Sequence, residues 1–339
     1  MQLRTRNTLG RESLMPHERC EWHHLLLHSS DESFICATSL TKNSFHVLLS
    51  VFKDFYERKS GPGKKGRPTS IIPSTALGLL LTFYRSSSEY MILSRMFGLS
   101  APTISLLIRK AEIALQKALK TLPDAKIRWP TLEEQETFSQ AVNRRHAYVK
   151  GRWGFVDGKN YRVQKPSYSD LQNAMYNGWL HDTLITGVFC FSADGTVAWG
   201  KHNVFGSWND GEISRNFQEK LLRDDINLPD HGVLADTAFP VCRGLENRIQ
   251  TPLKDGDLER IPHDRRREAE IRSDAITSMR QSAEWGMGAV EKVYRRLELK
   301  LPWDQKVRGR RISNLYRLYN YRVRNTGISQ IRSYFFDEI

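Results

Sequence analysis

Residues 154–160 read GFVDGKN, and residues 232–240 read GVLADTAFP. Each stretch is a short apolar run that closes on an aspartate, Asp157 in the first and Asp236 in the second. Such runs are typical of buried strands, so they predict two strands that bring both carboxylates to one edge of a sheet. The neighbouring stretches WGFVDG, YRVQK, LITGVFCFSADG and VAWGKHNVFG are also β-like, and Ala193-Asp194-Gly195 predicts a hairpin turn.

A third acid, Glu284, lies on a helical pattern that spans residues 264–298. Helical spacing places Glu284 beside a buried apolar stripe, formed by Ile276, Met279, Ala283, Met287, Val290, Tyr294 and Leu297. Gly286 and Gly288 are poor helix formers, so their presence indicates close backbone approach. Two alternatives stay open: Glu284 pairs with Arg280 one turn earlier, or Glu291 is the third acid instead.

Two strand-end acids and one helix acid form the layout of a two-metal nuclease site, because three carboxylates can hold two Mg²⁺ or Mn²⁺ ions about 3.5–4 Å apart. The element order is three strands, a helix, two strands and a long helix. That order predicts an α/β fold, with an RNase H-like mixed β-sheet flanked by helices over 148–325.

The preceding residues 31–147 are predicted to be all-α, with a helix-turn-helix-like segment over 73–120. Pro73 starts one helix, a second covers 89–97, Gly98 supplies a turn, and Ser100 caps a third helix. If this third helix reads DNA, the residues that face outward are Thr103, Ser105, Arg109 and Lys110. A plain helical hairpin is the alternative.

Charge favours a polyanionic partner, since the chain carries a net +13 and a pI near 9.6. The excess concentrates at 260–325, with 17 Lys and Arg against 8 Asp and Glu. Phosphate contacts are predicted there for Arg308, Arg310 and Arg311. A solvated basic face without a ligand is the alternative.

Other features limit the remaining choices. No apolar run approaches the length of a membrane span, and the N-terminus has no secretory h-region. The four cysteines, at 20, 36, 190 and 242, form no Cys-x-x-Cys pair and no zinc-ligand spacing, and they are predicted to be reduced thiols, with Cys190 in a strand core. Residues 1–30 are predicted to be a loose or partly docked polar arm, and 326–339 a C-terminal tail. Residues 60–70 are predicted to be a flexible linker, in which Lys64-Lys65-Gly66-Arg67 meets phosphates, acts as a nuclear address or only keeps the loop soluble.

Five short motifs in order resemble the DDE transposase nucleases of the PIF/Harbinger type, over roughly residues 30–325. They are Asp157-Gly158; Tyr176-Asn177-Gly178 with His181; Gly206-Ser207 with Asp210; Asp236 with Phe239-Pro240; and Glu284 with Met287-Gly288. This sequence departs from the family at Phe239 (Tyr in the family), at Met287 (Phe), and at Trp179-Leu180, where the family is often basic. None of these departures removes a carboxylate.

The resemblance implies that Asp157, Asp236 and Glu284 are the metal-binding triad. Asp210 is expected to be an accessory acid, or else the cap of the following helix. His181 and Lys159 are candidates to touch the scissile phosphate, with a structural role as the alternative for His181. Trp208 and Trp303 are candidates to stack on unpaired bases.

The expected activity is that of a metal-dependent DNA endonuclease and strand transferase, acting in the nucleus on the terminal repeats and target of a transposon. The alternatives are a domesticated DNA-binding protein without chemistry and an RNase H-like nuclease acting on other nucleic acid. The family usually works with a Myb-like DNA-binding protein, and the sequence leaves that accessory protein and a homo-oligomer open as partners.

Overall fold

A computed structural model describes residues 9–56, 71–237, 239, 241 and 244–337. The predicted linker, including Lys64-Lys65-Gly66-Arg67, lies outside the described residues, as does Cys242. The chain forms two compact units. The helical unit consists of Met1–Lys126, Glu291–Leu299 and Ser313–Thr326, and the sheet unit consists of Ile127–Val290, Lys300–Ile312 and Gly327–Ile339.

The helical unit is built around one fully buried helix. Its elements are α1 (Glu21–His28), α2 (Asp31–Thr38), α3 (Lys42–Phe55), α4 (Pro73–Arg85), α5 (Tyr90–Phe97) and α6 (Ala101–Thr121). Every residue of α4 from Thr75 to Tyr84 is buried, as expected for a helix that is apolar on all sides. The polar tip of Tyr84 is satisfied because its hydroxyl donates to the buried Glu112 carboxylate (3.2 Å).

Helices α5 and α6 cover the segment for which a helix-turn-helix is predicted, and a short turn joins them. Gly98 ends α5 with φ +61°, which an L side chain rarely adopts, and α6 begins after Ser100. The two helices meet at 91°, within the range of about 90–120° that is typical of the motif. Within the described residues, no single helix is long and apolar enough to cross a membrane. Only this bent pair reaches the required length and apolar composition, and only when its two helices are counted together.

From Arg11 onward, the start of the chain forms turns and a helix that pack within the helical unit. Two 3₁₀ turns, Arg11–Ser13 and His17–Arg19, precede α1. Trp22 on α1 is fully buried and stacks on Phe97 of α5, with ring centroids 5.5 Å apart. The apolar knot near Trp22 therefore belongs to the core of the helical unit.

The sheet unit contains a mixed six-stranded sheet. Its strands are β1 (Arg152–Arg162), β2 (Tyr176–Asn177), β3 (Asp182–Ser192), β4 (Val197–Phe205), β5 (Gly232–Leu234) and β6 (Ile249–Gln250). The main order is β4-β3-β1-β5-β6, and β2 adds to β3. The pairs β1–β3 and β3–β4 are antiparallel, whereas β1–β5 and β5–β6 are parallel. The predicted α/β, RNase H-like arrangement is confirmed.

Helices flank this sheet. They are α7 (Leu132–Arg145), α8 (Ser169–Met175), α9 (Asp210–Leu221), α10 (Arg266–Val293), α11 (Gln305–Thr326) and α12 (Gln330–Phe336), of which α10 and α11 contribute residues to both units. Because α7 packs on β1, the division between the units falls after Lys126 and does not coincide with the predicted boundary at 147/148. Cys190 is buried in β3, as predicted.

Two local predictions need correction. WGFVDG and the first two residues of YRVQK form one continuous strand, β1, because its pairing with β3 runs unbroken from Gly154 to Arg162. Asp157 therefore lies within a strand and does not end one. Before Asp157, Phe155 stacks on Phe335 of α12, while Trp153 packs on Trp129. A register irregularity between Arg152 and Gly154 lies between these two side chains.

Candidate active site

The strand register places Asp157 and Asp236 side by side. Phe155 on β1 faces Leu234 on β5 in a parallel pair. Two residues further along each strand direction are Asp157 and Asp236, and side chains two residues apart lie on the same face. Neighbouring strands are about 4.8 Å apart, so both carboxylates emerge together where the β1–β5 pairing ends.

Close helix–sheet packing brings Glu284 to the same face. Gly286 on α10 lies against the ring of Phe191, and a Cβ built there would come within 2.7 Å of that ring. Phe191 is the register partner of Phe155, so α10 crosses the face that carries Asp157. The expectation of close approach is confirmed for Gly286. It is wrong for Gly288, where a Cβ would meet nothing within 4 Å.

One guanidinium bridges Glu284 and Asp236. Arg280 Nη1 lies 3.1 Å from Glu284 Oε1 and 3.9 Å from Asp236 Oδ2. The Arg280–Glu284 ion pair considered from the sequence therefore exists, and it lies inside the acidic cluster. Glu291, the alternative third acid, falls in the residues of the helical unit, whereas both aspartates are in the sheet unit.

The pKa of Asp157 shows how strongly negative the site is. This pKa is raised to about 6, mainly by burial and in addition by the nearby charges of Asp236, Glu284 and Asp210, against one hydrogen bond from Gly158 N–H (2.7 Å) that lowers it. The pKa of Asp210 is also raised, by burial and by Asp236. These carboxylates repel one another, and the arrangement therefore favours a cation among them.

Asp210 enters the site because residue 158 has no side chain. A Cβ on Gly158 would lie 2.6 Å from Asp210 Oδ2. The alternative role of Asp210 as a helix cap is not what the structure shows: Asn209 is the N-cap, and its Oδ1 accepts from Glu212 N (2.9 Å). Asp210 is the first residue of α9, which leaves its carboxylate available to the cluster.

The other two accessory candidates, Lys159 and His181, differ in solvent exposure. Lys159 is two residues beyond Asp157 on β1, so it emerges on the same face. His181 is exposed, adopts the left-handed backbone region at φ +52°, and has Nδ1 3.3 Å from the Tyr176 hydroxyl. His181 thus belongs to the turn between β2 and β3.

An aromatic groove beside Asp210 was not singled out from the sequence. It encloses about 610 Å³ between Trp179, Trp208 and Asp210. Trp179 is 91% exposed on the turn before β3. Asn177 braces this turn, because its Oδ1 accepts from the N–H groups of Trp179 and Leu180 and its Nδ2 donates to Gly206 O. Two sequence signals pointed toward it: Trp208 as a stacking candidate, and the departure from the family pattern at Trp179-Leu180.

The predicted DNA-reading residues lie on the first half of α6. Arg109 is exposed, whereas Thr103, Ser105 and Lys110 are half-buried. The Thr103 hydroxyl shares a hydrogen bond with Ser100 at the start of the helix (2.9 Å). Arg109 is therefore the most accessible of the four.

The predicted phosphate contacts at 308–311 require a correction. Arg308 is 0% exposed; its Nε donates to Asn203 Oδ1 (2.6 Å) and its Nη1 to Trp303 O. Arg311 is also buried, and Arg310 is half-buried. The sequence count treated every arginine as a surface charge, whereas the first part of α11 uses them within the fold. Exposed arginines occur instead on and just before α10, at Arg265, Arg267 and Arg272.

The donor set fits hard divalent cations. Carboxylate oxygens are the ligands that Mg²⁺ prefers, and the pKa of Asp157 is raised by burial and by neighbouring negative charges that a cation would neutralise. The acids are more widely spaced than the ligands of one ion. In the described part of the chain, the one group of three metal-ligating side chains with all ligand atoms within 4.8 Å of one another lies elsewhere, in the helical unit.

Comparison with known proteins agrees with this site. Residues 156–320 match the family of DDE superfamily endonucleases. The sheet region is therefore similar to a transposase-like nuclease, and the match includes Asp157, Asp210, Asp236 and Glu284. Enzymes of this superfamily generally use divalent metal ions, and a nuclease domain of this kind implies DNA as the substrate. No curated protein and no solved structure was found to match the chain.

Proposed function

We propose that this chain is a metal-dependent DNA endonuclease and strand transferase of a PIF/Harbinger-type transposon. The observation that carries the proposal is the convergence of Asp157, Asp236 and Glu284, which three separate elements bring to one face of the sheet. We further propose that the protein acts in the nucleus, where it would meet the terminal repeats and the target DNA.

Asp157, Asp236 and Glu284 would hold two Mg²⁺ or Mn²⁺ ions. When bound, such ions activate a water or a 3′-hydroxyl and stabilise the leaving oxygen of the phosphodiester. The protein's own acids must be ionised to hold a cation, and Asp157 with a pKa near 6 is ionised at neutral pH. Arg280 pairs with Glu284 and lies near Asp236, so its guanidinium would compete with a cation for these two carboxylates. Asp210 adds negative charge from the opposite side of Gly158.

The groove beside Asp210 gives the substrate strand a path. Trp179 and Trp208 offer exposed aromatic faces, and stacking on such faces is worth about 1–3 kcal/mol per base. Because the groove is lined by Asp210 as well, a nucleotide stacked there would lie next to the scissile phosphate.

Trp179→Ala should weaken binding of a nicked or frayed duplex by about tenfold and leave intact duplex binding nearly unchanged. Equal loss for both duplexes would contradict this path.

Exposed arginines are proposed to contact the DNA backbone. Neutralising Arg265, Arg267 and Arg272 together should flatten the slope of log affinity against log salt concentration for duplex binding by up to about three units, one per phosphate contact.

The helix-turn-helix is proposed to read sequence through α6, so replacing Arg109 and Lys110 should reduce sequence preference instead. No change in affinity or preference would leave α5 and α6 as a packing hairpin.

The decisive experiment is nicking of supercoiled plasmid in Mg²⁺ or Mn²⁺. Asp157→Asn and Asp236→Asn should each lower the rate on the order of a thousandfold, because a carboxamide keeps the shape but loses the charge that holds a hard cation. Duplex binding without metal should persist in both variants. Asp274→Asn is the matched control, since Asp274 is an exposed acid on α10. Undiminished nicking by either active-site variant would refute the mechanism, and metal-independent binding with an inert wild type would favour the domesticated DNA-binding protein.

A further inference from the structure

Three metal-ligating side chains outside the acidic site come together near the start of the chain. The ligand atoms of His17, Cys20 and His23, here called the His/Cys cluster, all lie within 4.8 Å of one another. Their spacing is His-x-x-Cys-x-x-His, across the 3₁₀ turn His17–Arg19 and the first turn of α1. Cys20 joins the 3₁₀ turn to α1 with extended backbone (φ −73°, ψ 162°), so the cluster lies at the junction of these two elements. The expectation from the sequence that no zinc-ligand spacing is present overlooked this mixed pattern of His and Cys.

The imidazole of His17 is already oriented for metal binding. His17 Nδ1 lies 2.9 Å from Phe97 O, and a carbonyl can only accept, so Nδ1 carries the proton and Nε2 keeps its lone pair. Metal-binding histidines almost always donate their other ring N–H in this way, which fixes the tautomer and the ring orientation. Both the bond and its acceptor lie in the helical unit.

The surroundings also suit a structural ion. Cys20 is 1% exposed, and His17 and His23 are half-buried, so the cluster is only partly open to water. The carboxylate of Glu18 acts electrostatically on both imidazoles, which places a negative charge near the cluster. The cluster therefore combines soft and borderline ligands with local negative charge.

We propose that His17, Cys20 and His23 bind a zinc ion, with water in the fourth position. One thiolate and two imidazoles form a typical zinc ligand set, whereas a hard cation such as Mg²⁺ prefers oxygen. In a tetrahedral site the ligand atoms are about 3.5 Å apart, so small side-chain rotations close the cluster from its present spacing. Binding releases the thiol proton of Cys20 to solvent, because the thiolate is the ligand.

The ion would fasten the start of the chain to the helix-turn-helix. A Cβ on Gly98 would lie 2.5 Å from Met15 O, so the segment before the cluster passes directly over the turn between α5 and α6. His17 is bonded to the last residue of α5, and Trp22 stacks on the ring of that same residue, Phe97. Zinc would therefore stabilise this turn. This inference is independent of the nuclease proposal.

The test is metal content of the untagged, full-length protein grown with zinc and purified without chelator. The expected result is one zinc per chain by elemental analysis. After replacement by Co²⁺, the expected spectrum has a thiolate-to-cobalt charge-transfer band and d–d bands of a four-coordinate ion. Cys20→Ser should remove the charge-transfer band and most of the bound metal, and His23→Gln should lower zinc content at least tenfold.

Two controls separate ligation from loss of folding. Cys36→Ser changes an exposed thiol, and His24→Gln changes the residue next to His23, so both should retain one zinc. Because His23 is half-buried, the His23→Gln protein should keep its helical circular dichroism while it loses zinc. Wild-type protein without zinc, full zinc in folded Cys20→Ser, or equal zinc loss in His24→Gln would each overturn the proposal.

Discussion

The acids of the sheet unit come from positions as distant as Asp157 and Glu284, whereas the His/Cys cluster lies within residues 17–23. The first group depends on strand register and on the seating of α10, and its ligands are all hard oxygens. The second depends mainly on one short helical segment, and its ligands are sulfur and nitrogen. The contrast teaches that a site assembled from distant elements is sensitive to packing residues that carry no ligand, while a local site is sensitive mainly to its own ligands.

The largest effect should come from the third acid. Glu284→Gln is expected to lower plasmid nicking on the order of a thousandfold, because it removes one metal-binding charge. Glu291→Gln on the same helix is the matched control and should retain nearly full activity. Zinc content should be unchanged in both variants if the two sites are independent. Loss of activity in the Glu291 variant alone would reassign the third acid and leave the fold unaffected.

A pair of glycine substitutions on α10 tests the role of packing. Gly286→Ala forces a methyl group into the ring of Phe191, so we expect α10 to shift, with about 1–3 kcal/mol lost in the free energy of unfolding and nicking reduced about a hundredfold. Gly288→Ala has open space and should stabilise the helix by up to about 1 kcal/mol with normal activity. Urea unfolding and nicking rates measure both. Matching behaviour of the two variants would show that close approach of α10 does not position Glu284.

A smaller effect is expected at Gly158. Gly158→Ala places a Cβ 2.6 Å from Asp210 Oδ2, so the carboxylate must turn away from the cluster. Nicking should fall about tenfold, and the Mg²⁺ concentration for half-maximal rate should rise, as expected for loss of a nearby negative charge. Asp210→Asn should reproduce this result, and the double variant should add little to it. Full additivity of the two changes would contradict action through Asp210.

The smallest expected effect is a gain in the free energy of unfolding when Asp157 is replaced by Asn. In metal-free protein the folded pKa of Asp157 is about 6, above its ordinary value of 3.8, so the folded state binds the proton more tightly and stability falls as pH rises from about 4 to 6. Asp157→Asn removes this cost. It should raise the free energy of unfolding at pH 7.5 by at most about 3 kcal/mol, with less gain at pH 5.

Urea unfolding in EDTA at both pH values measures this gain, with Asp274→Asn as the control. Adding Mg²⁺ should stabilise wild type at pH 7.5 and leave Asp157→Asn nearly unchanged. A destabilised Asp157→Asn protein would show that the carboxylate is a structural residue, in contrast to the uncompensated charge that we infer.

The sequence does not predict α8, β2, α11 or α12. It does predict the order of the remaining strands and helices of the sheet unit, the mixed RNase H-like sheet and the bounds of α5 and α6. These follow from local apolar periodicity and from turn residues such as Gly98, which act over a few residues. It also pointed to Asp157, Asp236 and Glu284, through short motifs and a resemblance. It could not tell that Asn209 and not Asp210 caps α9, because both residues can accept the same backbone hydrogen bond.

Which charges and close contacts belong to the acidic site depends on tertiary packing and is not visible along the chain. Arg308 and Arg280 look alike along the chain, yet one is buried against Asn203 and the other bridges Glu284 and Asp236. Gly286 and Gly288 are both helix glycines, yet only Gly286 touches the sheet. Burial and contact with distant residues depend on how the elements pack, and periodicity within one segment carries no information about its partner.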